Sequence, residues 1–191
     1  MYLLCNILSK NKGEICLEKS LKLWRKADFV FTAVLGVIFH FLYEWTGKSL
    51  TAASFSAVNE STWEHMKLLF FPLFLFALIE YRVTGENYKN YWCSKLLAIF
   101  TGLLSIPILF YTYTGASGKT ADWFNILIFF IADAIACFIE FHLLKRKHIF
   151  CRYEKTAFIL LCIIAILFIA FTFLTPEIPL FMDPLTKTYG V

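Results

Sequence analysis

Apolar and polar positions along this chain fall into long blocks. Five apolar runs of about 20 residues are separated by polar connections, and about 20 apolar residues cross the hydrocarbon core of a bilayer as one helix. The runs are Ala27–Thr46, Thr62–Tyr81, Trp92–Thr112, Asp122–Leu143 and Thr156–Leu174. The pattern predicts an all-α, polytopic bundle of five transmembrane helices in a multi-pass protein of the cell membrane.

Composition supports this class and excludes several others. The chain of 191 residues is 59% hydrophobic and contains 22 phenylalanines, whereas an ordinary soluble domain is roughly 45–50% apolar. We therefore exclude a soluble enzyme, a nucleic-acid-binding domain and a disordered chain, despite the formal net charge of +4. The expected partner is the lipid bilayer, without nucleic acid, and the sequence identifies no protein partner.

Basic residues predict the orientation of the bundle. If the spans alternate, 14 of the 18 basic residues lie on the side that holds the N-terminus. Only Lys48, Lys67, Lys119 and Lys187 lie on the opposite side. By the positive-inside rule, the N-terminus is predicted to be cytoplasmic and the C-terminus to be outside. All six cysteines also map to the cytoplasmic side or half, where we expect reduced packing residues without a disulfide framework.

The same division suggests three regions. Residues 1–26 form a basic cytoplasmic arm, in which Leu17, Leu21 and Trp24 recur at the spacing of a helix on the membrane surface. A solvated arm with one aromatic anchor is the alternative. Residues 27–174 form the transmembrane domain, and residues 175–191 form an extracytoplasmic, proline-rich tail expected across the outer mouth of the bundle.

Ionisable residues in the outer half of the spans are the candidate chemistry, because such groups are costly in a membrane and usually face a bundle interior. Two histidines and several carboxylates are a plausible ligand set for Zn²⁺ or another divalent cation, with an open position for water. The candidate metal ligands are His40, Glu44, Glu64 and His65. Glu60 is a candidate catalytic base, and Asn59, Asp122 and Asn125 complete the predicted pocket.

Two structural alternatives compete with this site. Ser61-x-x-Glu64 fits a capping box, in which the Glu64 carboxylate satisfies a backbone amide rather than a metal. The polar residues could also form a buried hydrogen-bond network that locks three helices together.

Asp133 is the deepest charge in the predicted spans. It lies eleven residues from the outer end of its span, about 16 Å deep. We expect it to be protonated, bound to a cation, or hydrogen-bonded to neighbours such as Thr101 and Ser105, and it is the second candidate catalytic residue. Glu140 lies near the predicted cytoplasmic interface, where we expect it to be solvated or to snorkel toward the interface.

Three classes of function fit these residues. The first is a metal-dependent hydrolase or metal-binding protein, whose pocket would accept a small-molecule or lipid ligand. The second is a small transporter or permease component in which Asp133 binds a proton or a cation. The third is a non-catalytic membrane scaffold or accessory factor.

Several segments resemble a family of small prokaryotic multi-pass membrane proteins known only as a domain of unknown function. The most specific is the Asn-Glu-Ser-x-Trp-Glu-His block of residues 59–65, and the resemblance extends to residues 39–45 and to the tail. It implies membrane localisation and no activity. Ser61 and His65 also match the Ser-x3-His fragment of the intramembrane zinc hydrolases related to alkaline ceramidase. Their later His-x3-His is missing here, because His142 and His148 are six residues apart, so that function is not transferred.

Overall fold

The computed structural model describes residues 10–118, 121–146 and 151–191, with backbone alone for residues 10–16, 86 and 122. These ranges contain six α-helices and no named strand, which confirms the predicted all-α class. The helices are α1 (Lys10–Trp45), α2 (Leu50–Ala53), α3 (Thr62–Thr84), α4 (Tyr91–Ser117), α5 (Asp122–Lys145) and α6 (Glu154–Phe173). Two short 3₁₀ helices span Gly85–Asn87 and Pro179–Phe181.

Within the described residues, four segments are long and apolar enough to cross a membrane, which supports an integral membrane protein. They are Leu17–Trp45, Tyr91–Ser117, Trp123–Lys145 and Glu154–Phe173. Helix α3, the remaining predicted span, is not among them, and it carries Glu64, Lys67, Glu80 and Arg82. It is nevertheless the most enclosed helix, with 14 of its 23 residues buried. Most of its charges therefore face protein rather than lipid.

Helix α1 continues without a break through the predicted boundary at residues 26 and 27. Residues 14–35 contain neither glycine nor proline, so nothing in that stretch interrupts the helix. The face that we expected on the membrane surface packs on protein instead. Leu21 is buried, and the Trp24 ring lies 5.8 Å from the Phe76 ring of α3.

Small residues allow α5 to approach two neighbouring helices. A Cβ atom on Gly36 of α1 would lie 2.5 Å from Cζ of Phe129, and one on Gly102 of α4 would lie 3.1 Å from the Ala132 carbonyl oxygen. Small residues at such contacts are typical of membrane helix packing. Helix α5 is therefore held between α1 and α4.

Helix α6 and the tail close another side of α3. The buried positions of α6 form one stripe, consisting of Ala157, Leu161, Phe168 and Thr172. The tail folds back onto the start of α3, where the Phe181 ring lies 4.6 Å from the Trp63 ring. Asn59 donates from Nδ2 to the Gly190 carbonyl oxygen at 3.0 Å. The tail therefore packs on the same end of the bundle as the predicted pocket.

Candidate functional site

Three predicted site residues come together where α1, the α2–α3 connection and α3 meet. One ligand atom from each of His40, Glu60 and His65 lies within 4.8 Å of the others. The two Glu60 carboxylate oxygens lie 3.7 Å from His40 Nε2 and 3.5 Å from His65 Nε2. Ser61 caps α3 by accepting a hydrogen bond from the Glu64 amide, and this cap positions Glu60 and His65 at the helix start.

The two Glu60 distances are close to the spacing of ligands around a divalent cation. Zinc binds nitrogen and oxygen at about 2.0–2.2 Å, so two ligands of a tetrahedral ion lie about 3.4 Å apart. The other ring nitrogen of His65, Nδ1, lies 3.0 Å from the Ser61 carbonyl oxygen. A hydrogen bond there orients the ring and leaves Nε2 available, as the outer partners of metal-bound histidines do. His40, Glu60 and His65 therefore offer one ligand atom each to a metal ion.

A cavity of about 280 Å³ adjoins the three residues. Asn125 of α5 and Pro184 and Leu185 of the tail contribute to its wall. Oδ1 of Asn125 is buried and has no hydrogen-bond partner among the described residues. The cavity therefore offers room beside the candidate metal and one polar atom able to accept a hydrogen bond from a bound molecule.

Two predicted ligands lie outside the three-residue group. The Glu44 side chain is 67% exposed and lies 3.9 Å from the Lys48 ammonium group. The Glu64 carboxylate is buried; it pairs with Lys67 at 2.6 Å and accepts hydrogen bonds from the Val58 amide and the Thr172 hydroxyl. Helical spacing predicts both residues near the site, but in the structure they pair with Lys48 and Lys67 instead. Glu64 does not complete the capping box either, because the Ser61 amide donates to Asn59 Oδ1 instead.

The remaining pocket residues have different positions. Asn59 joins the α3 start to the tail through Gly190, and Asn125 lines the cavity. The side chain of Asp122 lies outside the described residues.

A second polar cluster, which sequence reasoning does not find, occupies the other end of the bundle. Arg25 and Asp28 of α1, Glu80 of α3, Lys95 of α4 and Glu140 of α5 are all buried. Lys95 Nζ lies 2.7 Å from Glu140, 2.9 Å from Glu80 and 3.3 Å from Asp28. Arg25 pairs with the same three carboxylates. We call these five residues the charge cluster.

The charge cluster corrects the expectation that Glu140 is solvated. Glu140 is only 2% exposed, because α1 and α4 each supply a cation that faces its carboxylate. Arg25 and Asp28 are three residues apart and so share one face of a helix, which is the available signal in the sequence. That signal does not reveal that three other helices bring partners to this face.

Asp133 is fully buried on α5, seven residues or about two helical turns before Glu140 of the charge cluster. The expected partners Thr101 and Ser105 do not reach it, because their hydroxyls donate to carbonyl oxygens of their own helix. Instead, Cys137 Sγ lies 3.7 Å from Asp133 Oδ1. Oδ2 of Asp133 has no hydrogen-bond partner among the described residues.

A disulfide joins the start of α4 to the segment before α6. It links Cys93 with Cys151, so the expectation of reduced packing residues does not hold for this pair. The Glu154 carboxylate accepts hydrogen bonds from the amides of Trp92 and Cys93 at 2.8 and 3.1 Å. Glu154, in the first turn of α6, thus caps the start of α4 beside the disulfide.

Comparison with known proteins gives a family and no activity. A family model described as "Family of unknown function (DUF6512)" matches residues 15–191. Neither a curated protein nor a solved structure matches the chain.

Proposed function

Because the chain belongs to DUF6512, a family of unknown function, its function has to follow from its own residues, and we propose that it is a membrane metalloprotein. In this proposal His40, Glu60 and His65 hold a divalent cation, with Zn²⁺ the best match to two imidazoles and one carboxylate. The observation that supports it is the convergence of these three side chains within 4.8 Å.

The proposed ion would keep an open position. Three protein ligands with water in the fourth place are typical of catalytic zinc sites, whereas structural sites are usually closed by four ligands. An ion here would polarise a water or a carbonyl group on the cavity side. Hydrolysis assisted by a free carboxylate is less well supported, because Glu60 acts as a ligand in this arrangement. We therefore propose metal binding with an open position and assign no reaction.

The surroundings of the ion favour a lipid-like ligand. A second cavity of about 210 Å³ starts at His40 and His65 and continues between α1 and α5. Its walls include Val37, Phe41 and Ile126, which are partly exposed on the surface of the bundle. In a bilayer, apolar exposed positions of this kind face acyl chains. A molecule with a polar end at the metal and an apolar chain between the helices would fit both cavities.

The proposal is tested by metal analysis of the purified protein after loading with Zn²⁺ and removal of unbound metal. We expect about one zinc per chain, and a loss of affinity of roughly 100-fold or more for His40→Ala and for His65→Ala, since changes outside the ligand shell alone cost 10–100-fold. His142→Ala is the matched control, because that histidine is exposed on α5. Wild-type protein that retains no stoichiometric metal contradicts the proposal.

A second candidate function, proton binding by Asp133, is favoured by the register of α1 and α5. Gly36 contacts Phe129 and Arg25 pairs with Glu140, and eleven residues separate the two contacts on each helix. This antiparallel register puts Thr32 opposite Asp133. Buried oxygens of Asp28, Thr32 and Asp133 have no hydrogen-bond partner among the described residues, and a proton on Asp133 would supply a missing donor.

Proton binding is tested in vesicles with a trapped pH indicator and an imposed pH gradient. We expect the wild-type protein to dissipate the gradient and Asp133→Asn, which keeps the shape and loses the ionisable group, to remove that activity. Asp183→Asn, at the other end of the bundle, is the control. Equal rates of gradient dissipation for Asp133→Asn and wild type exclude this role. If the zinc-binding test and the proton test both fail, the third class of function, a non-catalytic membrane scaffold, is favoured.

A further inference from the structure

A large groove lies where α3 ends and where α4 and α6 begin. Its volume is about 960 Å³, and it is separate from the cavities beside His40 and His65. Three basic residues line it: Arg82, from the last turn of α3, Lys89, from the connection to α4, and Lys155, from the first turn of α6. We call it the basic groove.

The three cations of the basic groove are available for a ligand. Arg82, Lys89 and Lys155 are exposed, and none has an ion-pair partner among the described side chains. The one described carboxylate in the wall, Glu154, accepts hydrogen bonds from two backbone amides at the start of α4. Its charge is therefore partly compensated by that helix end.

The floor of the basic groove is aromatic and continues onto the membrane-facing surface. The Trp92 ring lies 5.0 Å from the Tyr81 ring and 4.6 Å from the Phe158 ring. Leu78 and Ile159 extend the apolar wall along α3 and α6, and both are partly exposed. The groove thus joins a cationic rim to an apolar track at one end of the bundle.

We propose that the basic groove binds an anionic phospholipid, with the phosphate at Arg82, Lys89 and Lys155 and an acyl chain over the aromatic floor. Basic pockets between membrane helices bind anionic head groups through the same charges. A free phosphate would occupy the rim alone and leave the apolar track uncovered. This assignment is independent of the proposed metal site, since the two share no residue.

The test is lipid binding to the full chain in detergent, measured as bound lipid per protein by native mass spectrometry. The probes are phosphatidylglycerol and phosphatidylcholine with identical acyl chains. We expect phosphatidylglycerol to bind at least about tenfold more tightly, because each Lys or Arg near an anionic surface contributes roughly fivefold. The triple variant Arg82→Gln/Lys89→Gln/Lys155→Gln should lose that preference to within about twofold.

The matched control removes three positive charges elsewhere at the same end of the bundle. Lys19→Gln/Lys26→Gln/Arg146→Gln changes three exposed residues outside the groove, and we expect it to keep the preference. All three proteins should have the same melting temperature, which separates lipid binding from folding. Equal binding of the two lipids by wild type, or an equal loss in both triple variants, overturns the proposal. Displacement of phosphatidylglycerol by millimolar glycerol phosphate also overturns it in favour of a soluble phosphate ligand.

Discussion

Lys95, like Arg25, contacts all three carboxylates of the charge cluster. It is 1% exposed and contacts Asp28, Glu80 and Glu140, while Tyr91 donates to Glu80 at 3.1 Å. With Arg25 included, two cations face three carboxylates, so the buried cluster holds one excess negative charge when all groups are ionised. Buried charges persist only when they are paired.

This charge balance predicts unequal effects of two substitutions. Lys95→Met leaves three carboxylates with one cation, and we expect a loss of roughly 3–5 kcal/mol, which is usual when one partner of a buried pair is removed. Glu140→Gln leaves two carboxylates with two cations and should cost less. Thermal unfolding in detergent compares the loss of stability in the two variants, and Glu44→Gln, at an exposed position, is the control. A larger loss for Glu140→Gln than for Lys95→Met contradicts the charge balance.

At the residue level, the sequence identifies candidate groups more readily than their partners. The positions of His40, Glu60 and His65 follow from their placement at one end of two spans, and the structure brings them together. Glu44 and Glu64 have equally suitable spacing but engage Lys48 and Lys67. Spacing determines the face of a helix, whereas the partner depends on which helix covers that face.

Helix α5 depends on close approach to α4 at Gly102. A Cβ atom there would lie 3.1 Å from both the Ala132 carbonyl oxygen and the Ala136 Cβ. Gly115, near the other end of the same helix, has nothing within 4 Å of the corresponding position. The two glycines of α4 therefore have different surroundings and provide a matched pair.

We predict opposite effects for the two alanine substitutions. Gly102→Ala should lower stability by about 1–3 kcal/mol, because added atoms in a packed contact force the helices apart. Gly115→Ala should be neutral or stabilising by up to about 1 kcal/mol, since alanine favours a helix over glycine. Melting temperatures of the two variants in the same detergent provide the comparison. Equal destabilisation of both variants is inconsistent with a close α4–α5 contact.

Element boundaries show where local patterns fail. The apolar runs place α4, α5 and α6 well, because lipid-facing helices need apolar side chains over their whole length. They separate residues 1–26 from the first span, although α1 is continuous. The basic side chains of that segment indicate a polar environment, but one face still packs on α3 through Leu21 and Trp24.

For the whole molecule, the charge distribution and the disulfide point to opposite compartments. The positive-inside rule puts Cys93 and Cys151 on the cytoplasmic side, where disulfides are rare. The structure pairs these two cysteines. The orientation also depends on whether α3 crosses the membrane. If α3 crosses, the chain has five spans and its two termini lie on opposite sides.

We predict that α3 crosses and that the C-terminus lies outside the cytoplasm. Helix α3 has 23 residues, or about 34 Å of helix, and its buried Lys67, Glu64 and Glu80 are paired within the bundle. A C-terminal reporter enzyme that is active only outside the cytoplasm should give signal. The same reporter fused after Gly118 serves as the second position and should also be active. An inactive C-terminal fusion, with full-length protein present, refutes five spans with a cytoplasmic N-terminus.

The sequence by itself determined that this is a helical membrane protein, because the need to match lipid leaves a long apolar pattern that survives any arrangement of the helices. It also identified the histidines and carboxylates that are costly in such a setting. Only the tertiary structure decided which of them meet: His40 with Glu60 and His65, and Lys95 with carboxylates from α1, α3 and α5. Those contacts depend on the register and rotation of the helices, and these are determined by packing between side chains from distant parts of the chain.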